Sequence, residues 1–321
     1  MNVLETLPGN SRTKIHPFTD PRVTAKGEPR AHVALRRLET LWFNTGTLCN
    51  IECVNCYIES SPKNDRLVYL TPGDVSGYLD EIERDNLGTG EIGFTGGEPF
   101  MNPHMGEILE NTLDRGYDAL VLTNAMQPML RPAVREQITK LVAKFKTKLT
   151  FRVSLDHHTA ALHNKERGPG AFEKAMEGLS FLSEIGAQIS IAGRTCWGES
   201  DASERQGYGA LFVKQALHID PNDPMALTLF PEMDAHTDVP EITTSCWSIL
   251  NVDPHDMMCS NSRMVVKHKG ADAPTVAACT LLPYDDRFDL GASLAEASSP
   301  VSLNHHYCAQ FCVLGGGSCS A

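Results

Sequence analysis

Cys49, Cys53 and Cys56 lie in the run Leu48-Cys-Asn-Ile-Glu-Cys-Val-Asn-Cys-Tyr57, a C-x3-C-x2-C spacing. Thiolates are metal ligands, and short fixed cysteine spacings seldom arise from packing alone. Three thiolates are one fewer than a closed structural zinc site or a fully protein-ligated 4Fe-4S cluster uses, so one coordination position stays free for another ligand. A second motif follows at Thr95-Gly-Gly-Glu-Pro99, directly after the apolar run Glu91-Ile-Gly-Phe94. Two glycines allow backbone to approach a ligand closely, and Glu98 adds a carboxylate that can accept from a cationic group.

In this order the two motifs resemble the radical S-adenosylmethionine (SAM) superfamily. The resemblance implies that Cys49, Cys53 and Cys56 hold a 4Fe-4S cluster whose open iron takes the amino and carboxylate groups of SAM, and that Gly96, Gly97 and Glu98 contact SAM. It also implies a polar SAM contact at the end of each following strand, here Asn124, Ser154 and Arg194, with Tyr57 beside the adenine. Asn, Ser and Asp are common at strand ends for backbone reasons too, so capping is the competing reading of these positions. The aromatic residue of the family's cysteine motif often precedes the third cysteine, whereas here Asn55 precedes it and Tyr57 follows. Asp156, His157 and His158 fall beside the same strand ends, as substrate contacts or as a solvated turn.

Six more cysteines come after residue 240: Cys246, Cys259, Cys279, Cys308, Cys312 and Cys319. Met264 to Lys267, the turn Gly270-Ala-Asp-Ala-Pro274 and Thr275 to Ala278 read as a hairpin with Cys259 and Cys279 at its feet. The arrangement resembles the Twitch or shortened SPASM extension of radical SAM enzymes. That resemblance implies a second, auxiliary 4Fe-4S cluster on Cys259, Cys279, Cys308 and Cys312, with Cys246 and Cys319 as rival ligands. Two further clusters would need eight thiolates and six are present, so one is expected. Four thiolates also suit a zinc ribbon.

The elements that must position these groups follow a regular rhythm. The strand at Leu41-Trp-Phe43 leads into the cysteine loop, and strands at 91–95, 119–123, 149–155, 189–192 and 226–230 alternate with helical stripes such as Val75, Leu79 and Ile82. Six β-α units are too few for a closed eight-stranded barrel, so an α/β partial (β/α)6 barrel is expected, with chemistry at the C-terminal strand ends. The expected organisation is an N-terminal extension over 1–35, the radical SAM core over 36–240, and a small cysteine-rich auxiliary-cluster domain of hairpin and helix over 241–321.

A net charge of −12 argues against nucleic acid and against an anionic membrane as partners. No window approaches about 20 consecutive apolar residues, and the N-terminus lacks a secretory pattern, so the chain reads as cytoplasmic. The resemblance implies reductive cleavage of SAM to a 5′-deoxyadenosyl radical that removes a substrate hydrogen, with electrons from a flavodoxin- or ferredoxin-type donor. A small molecule is the expected substrate, because residues 1–40 are too short for the winged-helix segment that peptide maturases of the family often carry. A peptide-modifying maturase and a non-catalytic iron-sulfur or zinc protein are the alternatives.

Overall fold

The computed structural model describes residues 16–234 and 237–318. A two-residue strand β1 (His32–Val33) precedes six parallel strands: β2 (Thr40–Asn44), β3 (Glu91–Thr95), β4 (Asp118–Thr123), β5 (Leu149–Ser154), β6 (Gln188–Arg194) and β7 (Leu227–Phe230). They pair in chain order, Phe43 against Phe94, Phe94 against Val121, Val121 against Phe151, and Ala192 against Thr228. This is the expected open parallel sheet of a partial radical SAM barrel.

Helices cover one face. The first, α1 (Pro72–Asp85), is entered through a capping box in which Thr71 Oγ1 accepts from Asp74 N at 3.1 Å and Asp74 Oδ2 accepts from Thr71 N at 2.9 Å, with Pro72 opening the helix. Val75, Leu79 and Ile82 point to the sheet, as their spacing predicts. With α2 (Met105–Asp114), α3 (Gln127–Leu130), α4 (Pro132–Phe145), α5 (Ala160–Arg167), α6 (Ala171–Glu184) and α7 (Asp201–Lys214) they bury Leu41, Phe43, Phe94, Val121 and Phe151 in one core. Each such side chain contributes about 1.5–3 kcal/mol.

The alternate side chains of the strands face the other way. Trp42 and Leu120 join a second apolar cluster with Met258, Met264, Leu281 and Phe311, so the C-terminal segment packs its own core onto the inner face of the sheet. The hairpin β8 (Ser262–Val266) and β9 (Thr275–Ala277) forms where its turn predicts, Met264 opposite Ala277. Its first strand also pairs in parallel with β2, Trp42 against Met264, so one eight-stranded sheet runs from β7 to β9 across residue 240. The N-terminal segment is tied to the same region. A last strand, β10 (Val301–Ser302), pairs with β1, and the buried Arg30 bonds Glu241 and the carbonyl of Leu303.

Candidate active site

The cysteine loop leaves β2 and docks on the end of β3 chiefly through backbone, with Thr45 Oγ1 donating to the Thr95 carbonyl at 3.0 Å. Gly97 N donates to the Gly46 carbonyl at 2.8 Å and Glu98 N to that of Leu48 at 3.2 Å. A Cβ on Gly97 would stand 2.2 Å from Leu48 O, and one on Gly96 2.5 Å from Gly46 O, with Gly96 at φ +140. Both glycines are thus required by the contact of two main chains, one of which carries the cysteines. The loop is pinned further on. Cys49 N donates to Ser61 O at 3.1 Å, Val54 N to the Glu166 carbonyl at 2.9 Å, and Asn55 Nδ2 to Glu166 Oε2 at 3.0 Å. Asn55, where the cysteine motif departs from the family's common pattern, therefore anchors the loop to α5.

A cavity of about 1130 Å³, partly open to solvent, lies over the strand ends. Cys49, Cys53 and Cys56 line it, with Tyr57, Gly96 and Gly97 beside them. Asn124, Ser154 and Arg194, from the ends of β4, β5 and β6, complete the wall. Sequence-predicted residues from five separate segments thus meet at one void. Asn124 Nδ2 lies 2.9 Å from Asn50 Oδ1 and 3.8 Å from Cys49 Sγ, so it braces the loop as well.

Glu98 is the exception. It is fully buried and does not line the cavity. Its carboxylate turns to β4, accepting from Thr123 Oγ1 at 2.9 Å, Asn124 N at 2.9 Å and Phe100 N at 3.2 Å. In this structure the carboxylate braces two strand ends, β3 and β4. Burial pushes its pKa up to about 7, against the pull of those same donors.

One charged residue lining the site, Arg167, escaped sequence reasoning. Arg167, at the end of α5, grips Asp156 with two bonds of 2.6 and 2.9 Å, and both line the cavity. Burial alone would raise the Asp156 pKa, but the Arg167 charge and hydrogen bonds outweigh it and hold the carboxyl below its ordinary 3.8. Arg194 Nη1 stands 3.5 Å from Glu166 Oε2. Two guanidinium groups therefore face a pocket with three thiols. The Cys49 thiol is pushed up to about 12, chiefly by burial, and that of Cys53 is raised for the same reason. Bare thiolates are unfavourable here, and a bound metal would have to displace their protons.

A second cavity of about 380 Å³ is lined by Cys259, Cys279, Cys308 and Cys312, the four cysteines expected together. Cys308 and Cys312 come from one π-helical turn, Cys308–Leu314, which accommodates their three-residue gap. Cys246 does not line this cavity; its sulfur accepts from Thr243 N at 3.3 Å. Cys319 lies outside the described residues. Leu281 lines both cavities, so the two adjoin at that residue.

Among the described residues no three cysteine sulfurs lie mutually within 4.8 Å.

Residues 43–195 match the model of the Radical SAM superfamily. They form a radical SAM domain. AlbA of Bacillus subtilis, an antilisterial bacteriocin subtilosin biosynthesis protein, is 30% identical over 145 residues, 45% of this chain and 30% of AlbA. The AdoMet-dependent heme synthase of Oleidesulfovibrio alaskensis is 29% identical over 147 residues, 44% of this chain and 34% of the synthase. The chain thus matches about a third of the length of these curated relatives. Streptococcus suis SuiB, solved bound to precursor peptide SuiA, superposes with a TM-score of 0.57 over 81% of this chain and 63% of SuiB, at 11% identity, a likeness of fold. Radical SAM proteins employ a 4Fe-4S cluster and SAM. Among the described residues no helix is long and apolar enough to cross a membrane.

Proposed function

We propose that the chain is a radical SAM enzyme that abstracts a hydrogen atom from a substrate held over the strand ends and passes an electron to a second cluster behind Leu281. The observation that carries this reading is the convergence of Cys49, Cys53 and Cys56 with Gly96, Gly97 and Arg194 on one cavity, which shares the lining residue Leu281 with the cavity of Cys259, Cys279, Cys308 and Cys312. When bound, the cluster and SAM supply one-electron reduction of a sulfonium and a carbon-centred radical. The protein's part is placement and exclusion. Three thiols offer one ligand each, the glycine pair lets the cysteine loop sit against β3, and Asn124 and Ser154 present polar groups to the nucleoside side of the cavity. Arg167 and Arg194 put their guanidinium groups beside the three thiols, each held in place by a carboxylate, Asp156 and Glu166. Phe230, Phe311 and Leu281 form an apolar wall that keeps water from a reactive intermediate.

The substrate we favour is a peptide segment, supported by the bacteriocin-biosynthesis relative and by SuiB with its precursor peptide. A small molecule is the second reading, supported by the heme synthase relative. The described cysteines are all free thiols, which suits a reducing cytoplasm, and a flavodoxin- or ferredoxin-type donor would supply the first electron.

Anaerobic reconstitution with dithionite and SAM tests the reading. The expected result is 5′-deoxyadenosine and about eight irons per chain. A chain with its clusters intact that forms no 5′-deoxyadenosine refutes catalysis, and about four irons refutes the second cluster. Incorporation of deuterium from labelled precursor peptide into 5′-deoxyadenosine would establish the peptide reading; incorporation from a small metabolite alone would overturn it.

A further inference from the structure

One of the largest fully buried side chains of the C-terminal segment is charged. Arg263 lies on β8, four residues after Cys259, and is 1% exposed. Main chain alone holds its guanidinium. Nη1 donates to the carbonyls of Cys259 at 2.6 Å and Ser262 at 2.8 Å, Nε to that of Ala297 at 2.8 Å and Nη2 to that of Ser299 at 3.2 Å. Every one of these acceptors is neutral, and among the described residues no carboxylate pairs with Arg263. Arg30, buried to the same degree, has Glu241 as its counter-charge.

An arginine stays protonated, so Arg263 places a permanent positive charge in the interior. A buried charge is costly unless something negative answers it. Burial pulls its pKa below the ordinary arginine value, and the charges that oppose this are those of Cys259 and Cys279. Both cysteines line the cavity of about 380 Å³, and the bond to the Cys259 carbonyl fixes the guanidinium against the main chain of one of them. Arg287 is the contrast. The charge of Cys308 reaches it too, but Asp285 accepts from it through both oxygens and 43% of its side chain is exposed, so its charge is cancelled locally and screened.

We propose that Arg263 is the counter-charge of the second cluster and holds its reduction potential up, which makes that cluster the better electron acceptor. The inference rests on the reading of Cys259, Cys279, Cys308 and Cys312 as cluster ligands. Four thiolates make such a cluster net negative, and reduction adds one more negative charge without transferring an atom. The donor loses one electron, the cluster gains it, and the fixed guanidinium favours the side of that equilibrium on which the cluster carries it. Net charge, hydrogen bonds to sulfur and exposure set such potentials, and the hydrogen bonds of Arg263 end on carbonyl oxygens, so charge is its means. Arg263 does not line the larger cavity, so it acts through the cluster and not on substrate.

The test is a dithionite titration of the full-length, anaerobically reconstituted chain, followed by electron paramagnetic resonance in the Cys53→Ala background, where the second cluster alone reports. Arg263→Gln should lower the reduction equilibrium constant at least about tenfold, a downward shift of about 59 mV for a one-electron couple, with about four irons retained. Arg263→Lys keeps the charge and should stay within about threefold of the parent. Arg287→Gln, whose charge is already met, should stay within about the same limit. Where Arg263→Gln loses its iron, Ser299→Asp takes its place: it leaves the bonds of Arg263 to main chain intact, sets a carboxylate on the exposed residue that Nη2 contacts, and should lower the constant at least about threefold. An equilibrium unchanged in Arg263→Gln, or in Ser299→Asp as its replacement, overturns the proposal. So does one lowered equally in Arg263→Lys and Arg263→Gln, which would leave Arg263 a staple between two loops. Loss of all iron in the Cys53→Ala background refutes the second cluster itself and this role with it, so the two failures are told apart.

Discussion

Replacing Asp156 with asparagine isolates the charge balance behind the cysteine loop. Only 6% of the Asp156 side chain and 14% of the Arg167 side chain is exposed, and two hydrogen bonds join them. Asp156→Asn leaves the guanidinium buried beside the cavity without its counter-charge, a loss of about 3–5 kcal/mol for pairs of this kind. In a chain this size that lowers the apparent melting midpoint by about 4–7 °C. The assay is thermal unfolding of the reconstituted chain at one scan rate, followed by circular dichroism. The double variant Asp156→Asn with Arg167→Met removes both charges and should regain more than half of the loss. The sign of the pH effect follows from a carboxyl held below 3.8: the pair stabilises above that value and its contribution fades as the pH falls below it, so parent and single variant should converge in acid. A single-variant cost below about 1 kcal/mol, or a double variant as unstable as the sum of its parts, would refute the pairing argument.

Gly97→Ala places a methyl 2.2 Å from Leu48 O, so it should push the cysteine loop off β3 and abolish both iron at the first site and 5′-deoxyadenosine formation, checked by iron analysis and chromatography. Cys53→Ala should likewise end SAM cleavage while about four irons remain. Cys308→Ser should give the mirror result, losing about four irons yet still releasing 5′-deoxyadenosine. Glu98, with its folded pKa raised to about 7, favours the folded state fully below pH 4.5 and loses that contribution as pH rises through 7. Glu98→Gln should therefore flatten the fall in melting midpoint between pH 5 and 8, a span worth about 3 kcal/mol.

The six strands and the two cysteine sets were legible because their signals are local: apolar runs, helical stripes and short repeats. The groups that escaped are joined across long separations. Asp156 and Arg167 are eleven residues apart with a loop and the length of α5 between them, and nothing in either flanking sequence marks them as partners. Glu98 was recognisable as functional from its glycine pair, but its real partners, Thr123 and Asn124, lie on the next strand, so its brace could not be read from the motif. The place of Leu281 between the two cavities has no signal at all, since an apolar residue two positions before a proline looks like any other core position. The parallel pairing of β8 with β2 is equally silent, because both strands are apolar on both faces and a pairing partner leaves no periodic trace.

That last pairing bears on how the molecule is made. β2 needs neighbours on both edges, and one of them is synthesised only after Ser262. At about 5–20 residues per second, the stretch between them takes roughly 10–45 s to leave the ribosome. For that interval the strand bearing Leu41, Trp42 and Phe43 has an unpaired, apolar edge, open to pairing with another nascent chain. A fragment ending near residue 240 would keep that edge permanently, so it should aggregate when expressed alone, and slower synthesis at low temperature would not rescue it.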